Sequence, residues 1–172
     1  MPAGVSLLKE RNFLLLFLAT LISTFGSSMA PIALAFGVLD LTGSTSASAI
    51  VIAAPVVAQL VVLMVSGTLA DRTSRRLLIV FACVWASLFQ GLTAAAFIAE
   101  FATVPLLTGL ALASGVGIAI TFPATTGLIP LIVARDQLQD ANSLLGIARN
   151  TSLVLGTALA GVLVAVVGPG IA

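Results

Sequence analysis

The sequence predicts an all-α integral membrane fold of five transmembrane helices, and three observations predict it. The 172-residue chain is 60% hydrophobic and 8% charged, with a mean hydropathy of +1.25, whereas soluble domains carry about 25% charged residues. Its apolar residues gather into charge-free runs long enough to cross a hydrocarbon core, which takes roughly 20 helical residues. The connections between the runs are short and polar, and positive charge falls on one side only.

The first run, Asn12 to Leu39, predicts a helix over 12–39. Lys9 and Arg11 in front of it resemble the basic start of a signal peptide. An apolar run of 28 residues is too long for one, because such cores span about 7–15 residues. Asp40–Ser46 (DLTGSTS) is a turn rich in Gly, Ser and Thr, and the run Leu41 to Ala70 predicts a helix over 46–69. The basic segment Asp71–Arg76 follows, then a helix over 77–98 in the run Leu77 to Ala99. Phe101 to Ala134 predicts a helix over 104–133. After the polar stretch Ala134–Asp140, Ala141 to Val167 predicts a helix over 141–167, interrupted once by Arg149. Asp140 and Asn142 are candidate caps for that last helix, where an acceptor meets unpaired backbone N–H groups.

Lys and Arg set the orientation. Lys9 and Arg11 precede the first span, Arg72, Arg75 and Arg76 join the second to the third, and Arg135 joins the fourth to the fifth. The connections near Asp40 and Glu100 hold none, so the positive-inside bias places the N-terminus in the cytoplasm. Five crossings then place the C-terminus outside.

Small residues recur at helical spacing: Ser87, Gly91 and Ala95; Gly109, Ala113 and Gly117; then Gly156, Ala160 and Gly161. Such stripes let helix backbones approach closely in lipid. Pro31, Pro55, Pro123 and Pro130 lie within apolar runs and can kink them.

The same inventory excludes several function classes. A net charge of +1 gives no basis for binding nucleic acid. The chain has no His, and Cys83 is its lone cysteine, so neither a disulfide, a metal site, a paired nucleophile and base nor a cofactor is expected. It does not read as an enzyme. The partners expected are the lipid bilayer and a small-molecule substrate.

Gly67–Arg76 (GTLADRTSRR) closely resembles the signature of the major facilitator superfamily, G-x-L-a-D-r-x-G-r-k. Gly67, Leu69, Ala70, Asp71, Arg72, Arg75 and Arg76 match, and Ser74 replaces the second glycine. Its position between the second and third spans also agrees with the family. Leu41–Ser44 (LTGS) and Phe122–Leu144 (FPATTGLIPLIVARDQLQDANSL) look like the bacterial drug- and siderophore-efflux branch, which includes macrolide- and enterobactin-type exporters. Gly156–Gly161 (GTALAG) looks like the fifth-helix GPxxGG element of that branch, with Thr157 in place of proline.

The resemblance implies a bacterial plasma-membrane carrier, an antiporter working by alternating access. This chain would form most of the N-terminal six-helix bundle of twelve helices, over residues 1–172, and the C-terminal helices of the same carrier would be its partners. Such mechanisms rock one bundle against another, so the chain reads as a truncated part of a carrier that would not transport alone. A membrane scaffold or non-transporting fragment is the alternative. The resemblance also implies a cytoplasmic gate motif at Gly67, Asp71, Arg72, Arg75 and Arg76, in which Asp71 meets a helix of the other half.

Arg149 lies about 13 Å along a helix from Asp140, near the middle of the bilayer, where an arginine costs about 2.5–3.5 kcal/mol. One reading is a cavity-facing cation that holds a substrate or a carboxylate. The other is a late-starting helix whose arginine snorkels to the surface. Gln59 is a second candidate for the cavity, and Gln59 and Gln90 also suit interhelical hydrogen bonds. No Asp, Glu or His lies within a span, so if transport is coupled to protons the carrying group is expected in the missing helices.

Overall fold

A lipid-immersed backbone must satisfy its polar groups internally, which leaves helices or closed barrels. The structure, a computed structural model, takes the helical solution. It describes residues 7–72 and 74–167, with the backbone alone for 63–72, 75–76, 122–124 and 167. The helices are α1 (Arg11–Thr42), α2 (Thr45–Arg72), α3 (Arg75–Ile98), α4 (Val104–Ile132) and α5 (Leu138–Val167), with a 3-10 turn over Arg135–Gln137 before α5. All five are long and apolar enough to cross a membrane.

α1 and α2 overrun their charge-free runs, α3 and α5 begin ahead of theirs and α4 stops inside its own, because local hydrogen bonds, rather than charge, end the helices. α1 continues past Asp40 to Thr42, where Gly43 turns left-handed at φ 64° and donates its N–H to the Leu39 carbonyl at 2.7 Å. Thr42 Oγ1 accepts the Ser44 N–H at 3.1 Å, and Ser44 Oγ accepts the Ala47 N–H at 3.3 Å, so one polar pair closes α1 and opens α2. At the end of α3, Glu100 adopts φ 57° while the Ala99 and Phe101 N–H groups return to Ala95 and Ala96. α5 begins at Leu138. Asn142 therefore lies inside its first turns, donating from Nδ2 to the Leu138 carbonyl at 2.9 Å, and Asp140 stands in the first turn.

α4 lies between α2 and α3, while α1 packs along α5 and more lightly on α2. Three apolar clusters tie the ends together. Val38, Val51, Ala96 and Leu107 join the end of α1, the start of α2, the end of α3 and the start of α4. Phe13, Ile129, Val133, Ala141 and Leu145 join the start of α1, the end of α4 and the start of α5. Leu78, Ala82 and Ile120 join α3 to α4. Successive helices therefore alternate in direction, with Arg11 and Arg135 at one end (the basic end) and Asp40 and Glu100 at the other (the acidic end).

Many large apolar side chains point outward: Ile22, Leu60, Leu77, Ile98 and Val166 are each more than 60% exposed. Small residues line the helix contacts instead, as expected where lipid removes the hydrophobic drive for association. A Cβ at Gly115 would stand 2.5 Å from the Pro55 carbonyl oxygen, and one at Gly117 2.9 Å from that of Ala82. At Gly156 it would meet the Ser28 hydroxyl and the Phe25 carbonyl. Gly91, Gly109 and Gly161 face open space, and Ser87 and Ala95 are exposed, so among the described residues the α3 stripe does not pack at all and only part of the α4 and α5 stripes does.

Candidate functional site: a mid-span cavity

α1 and α4 scarcely touch, because each packs on other neighbours. A cavity of about 670 Å³ lies between them, walled by all five helices. Its lining includes Gly26 of α1, Gln59 of α2, Ile118 of α4 and Leu153 of α5, each close to the middle of its helix. α3 contributes Gln90 and Phe97. The cavity therefore runs from the middle of the bundle toward the acidic end, where Phe97 and Ile98 close α3, and its volume falls within the roughly 300–1,000 Å³ typical of small-molecule sites.

Its wall is held by contacts just outside it. The Gly115 contact with Pro55 sets α4 against α2, and the Trp85 indole N–H donates to the Ala113 carbonyl at 2.8 Å, setting α3 against α4. Across the cavity, Ser28 Oγ donates to the Phe25 and Ser152 carbonyls at 2.8 and 3.3 Å, and Ser152 Oγ donates to the Leu21 carbonyl at 2.9 Å. These bonds join α1 to α5. Pro31 lines the cavity one turn beyond Ser27, whose carbonyl loses its usual i+4 donor because proline has no N–H.

The lining is mostly apolar and, among the described residues, contains no Asp, Glu, Lys or Arg. Thr93 and Thr157 spend their hydroxyl protons on the Phe89 and Leu153 carbonyls of their own helices, each at 2.8 Å. Ser114, 7% exposed, and the half-buried Gln59 and Gln90 have no hydrogen-bond partner among the described residues. No group of three or more His, Cys, Asp or Glu among the described residues is arranged to hold a metal ion.

Gln59 lies in the wall, and Arg149 does not. Arg149 is half-buried on α5 and makes no ion pair or hydrogen bond among the described residues. It precedes the lining residues Leu153 and Thr157 by four and eight positions, so it shares their helix face one turn nearer the basic end. The gate motif is split between elements: Gly67, Asp71 and Arg72 belong to the last turns of α2, and Arg75 and Arg76 to the first turn of α3. The side chains of these five lie outside the described residues.

Two lining residues escape a sequence reading based on charge. Ser114 sits in the run Ala113-Ser114-Gly115, where a small hydroxyl is indistinguishable from a packing residue. Gln90 carries the same pattern as Gln59, and only the cavity separates its role from an interhelical bond.

A family profile described as transmembrane secretion effector matches residues 3–172. No curated protein and no solved structure matches the chain.

Proposed function

The chain belongs to the transmembrane secretion effector family, of major facilitator type, and from that premise we propose that it is the N-terminal part of a secondary transporter exporting small drug- or siderophore-like molecules. The family makes it a multi-pass membrane protein of transporter type, not an enzyme in its main role. The cavity that reaches the middle of the bundle carries the finer reading. A substrate site near the bilayer midplane, between bundles that rock about it, is the arrangement alternating access requires.

In this reading the N-terminus is cytoplasmic, the membrane is a bacterial plasma membrane, and a second bundle of the same carrier faces the cavity. Gln59 contacts the substrate. Arg149, one turn toward the basic end, holds an acceptor group of the substrate or a carboxylate of the second bundle. Gly67, Asp71, Arg72, Arg75 and Arg76 close the cytoplasmic gate. Exchange against protons makes the carrier an antiporter, with the proton-carrying group on the second bundle.

Flux decides the question. Proteoliposomes holding the complete carrier, loaded with radiolabelled chloramphenicol, an uncharged drug, or an iron-free catecholate siderophore, should release it faster than carrier-free liposomes under a proton gradient. Release indistinguishable from that of carrier-free liposomes would leave a membrane scaffold as the better account.

A further inference from the structure

We propose that the cavity selects an uncharged, largely apolar molecule carrying hydrogen-bond acceptors at two or more separated positions, read by Gln90, Ser114 and Gln59. This rests on the cavity being the carrier's substrate site and adds the chemical class of that substrate.

The inference starts from polar groups that the fold does not use. Ser114 is more than nine-tenths buried, lines the cavity, and donates its hydroxyl to none of the described residues. It is not a packing serine of the usual kind, since Thr93, Thr108, Thr121 and Thr125 all bond back to a carbonyl four residues earlier. The Gln59 and Gln90 amides lie in the same wall, equally without partners. In a lining this apolar, such donors favour any guest that offers them acceptors.

The helix register spaces the three groups. Pro55 against Gly115 and Trp85 against Ala113 place Ser114 at the level of both contacts. Gln59 lies four residues beyond Pro55, about 6 Å toward the basic end, and Gln90 five residues beyond Trp85, about 7.5 Å toward the acidic end. Three donors therefore form a ladder along the cavity, suited to an elongated molecule with carbonyls or ethers at both ends. The Ser27 carbonyl freed by Pro31 adds an acceptor for a ligand hydroxyl.

Charge is selected against by the same wall. Among the described residues no ionised side chain lines the cavity, so a cation or anion buried in it would lose its hydration without gaining a counter-ion there. Arg149 stands one turn outside the lining, so it reaches an acceptor at the basic end of a guest rather than a charge held within the cavity.

Tritiated progesterone, a neutral steroid with a ketone at each end, is the probe. The full chain in lipid nanodiscs, with empty nanodiscs subtracted, should bind it saturably in a scintillation-proximity assay. Ser114→Ala, Gln59→Leu and Gln90→Leu should each weaken binding about two- to tenfold, as expected for one lost hydrogen bond. Displacement by 5α-pregnane, the same ring system without ketones, should be unchanged by those substitutions. Tetraphenylphosphonium and anilinonaphthalene sulfonate should not displace the probe. Circular dichroism confirms that each variant is folded, and Ser114→Ala removes only one oxygen.

Absence of saturable progesterone binding, three variants that bind normally, or displacement by either ion would overturn the proposal. Flux separates the two readings. Binding as predicted without flux would end the carrier reading and leave the site, whereas flux of charged cargo without steroid binding would do the reverse.

Discussion

The Ser28 hydroxyl reaches the Ser152 carbonyl at 3.3 Å, and the Ser152 hydroxyl reaches back to the Leu21 carbonyl at 2.9 Å. Both residues are buried, so the α1–α5 seam is joined in both directions near mid-span. Hydrogen bonds of this kind within membrane bundles average about 0.6 kcal/mol. Ser152→Ala should therefore lower unfolding stability by about that amount, read in mixed micelles against a denaturing detergent. An unchanged midpoint would show that the seam rests on packing alone.

Glycines on the two sides of the helices should respond oppositely to one added methyl. Gly115→Ala drives a Cβ into the backbone of Pro55, and overpacking of this kind costs about 1–3 kcal/mol. Gly91→Ala meets open space, and alanine favours the helix by up to about 1 kcal/mol. A pair of melting curves checks both. Equal losses at the two positions would contradict the helix contacts described above.

The charge asymmetry predicts which ends share a compartment. With Cys83 replaced, single cysteines at Ser74 and Thr103 should label from opposite faces of intact cells and inverted vesicles, position 74 from the cytoplasm. Both positions are exposed in the structure, so reagent reaches them. Labelling from the same face would be incompatible with the alternating helices.

Asp71→Asn should reduce flux through the complete carrier by tenfold or more while leaving expression and melting temperature nearly unchanged. Asp71 is the one acid in the basic connection, which topology does not require, and a gate contact is where its charge would act. Transport at the normal rate would remove it from the gate.

Arg149→Lys keeps the charge and loses the planar, forked donor array, so folding should persist while transport falls. Arg149→Ala should insert at least as well and abolish transport. A cysteine at position 149, without Cys83, should react with a membrane-impermeant thiol reagent and be protected by substrate. Failure to react with that reagent would mean that this face of α5 meets lipid rather than water.

Span number and fold class were legible in the sequence because both follow from one-dimensional quantities. Hydropathy over about 20 residues decides what crosses a bilayer, and five runs meet that condition on their own. The resemblance at Gly67–Arg76 likewise pointed to the family that the profile match over residues 3–172 establishes. Helix ends were less legible, since Asp40 did not stop α1; a left-handed Gly43 and a Thr42–Ser44 hydrogen bond did. Which small residues pack, and which polar ones line a cavity, belonged to the tertiary structure alone. Gly109 and Gly117 occupy one stripe eight residues apart, yet only Gly117 meets a neighbour, because eight residues leave the two positions about 80° apart around the helix. Gln59 and Arg149 were both visible as polar residues in apolar runs, but the rotation of α2 brings Gln59 into the wall while the register of α5 holds Arg149 one turn short of it. Ser114 was hidden among small residues until α2, α3 and α4 met around it. Hydropathy sums over a segment and is blind to direction, whereas a cavity depends on where helices that are distant in sequence fail to touch.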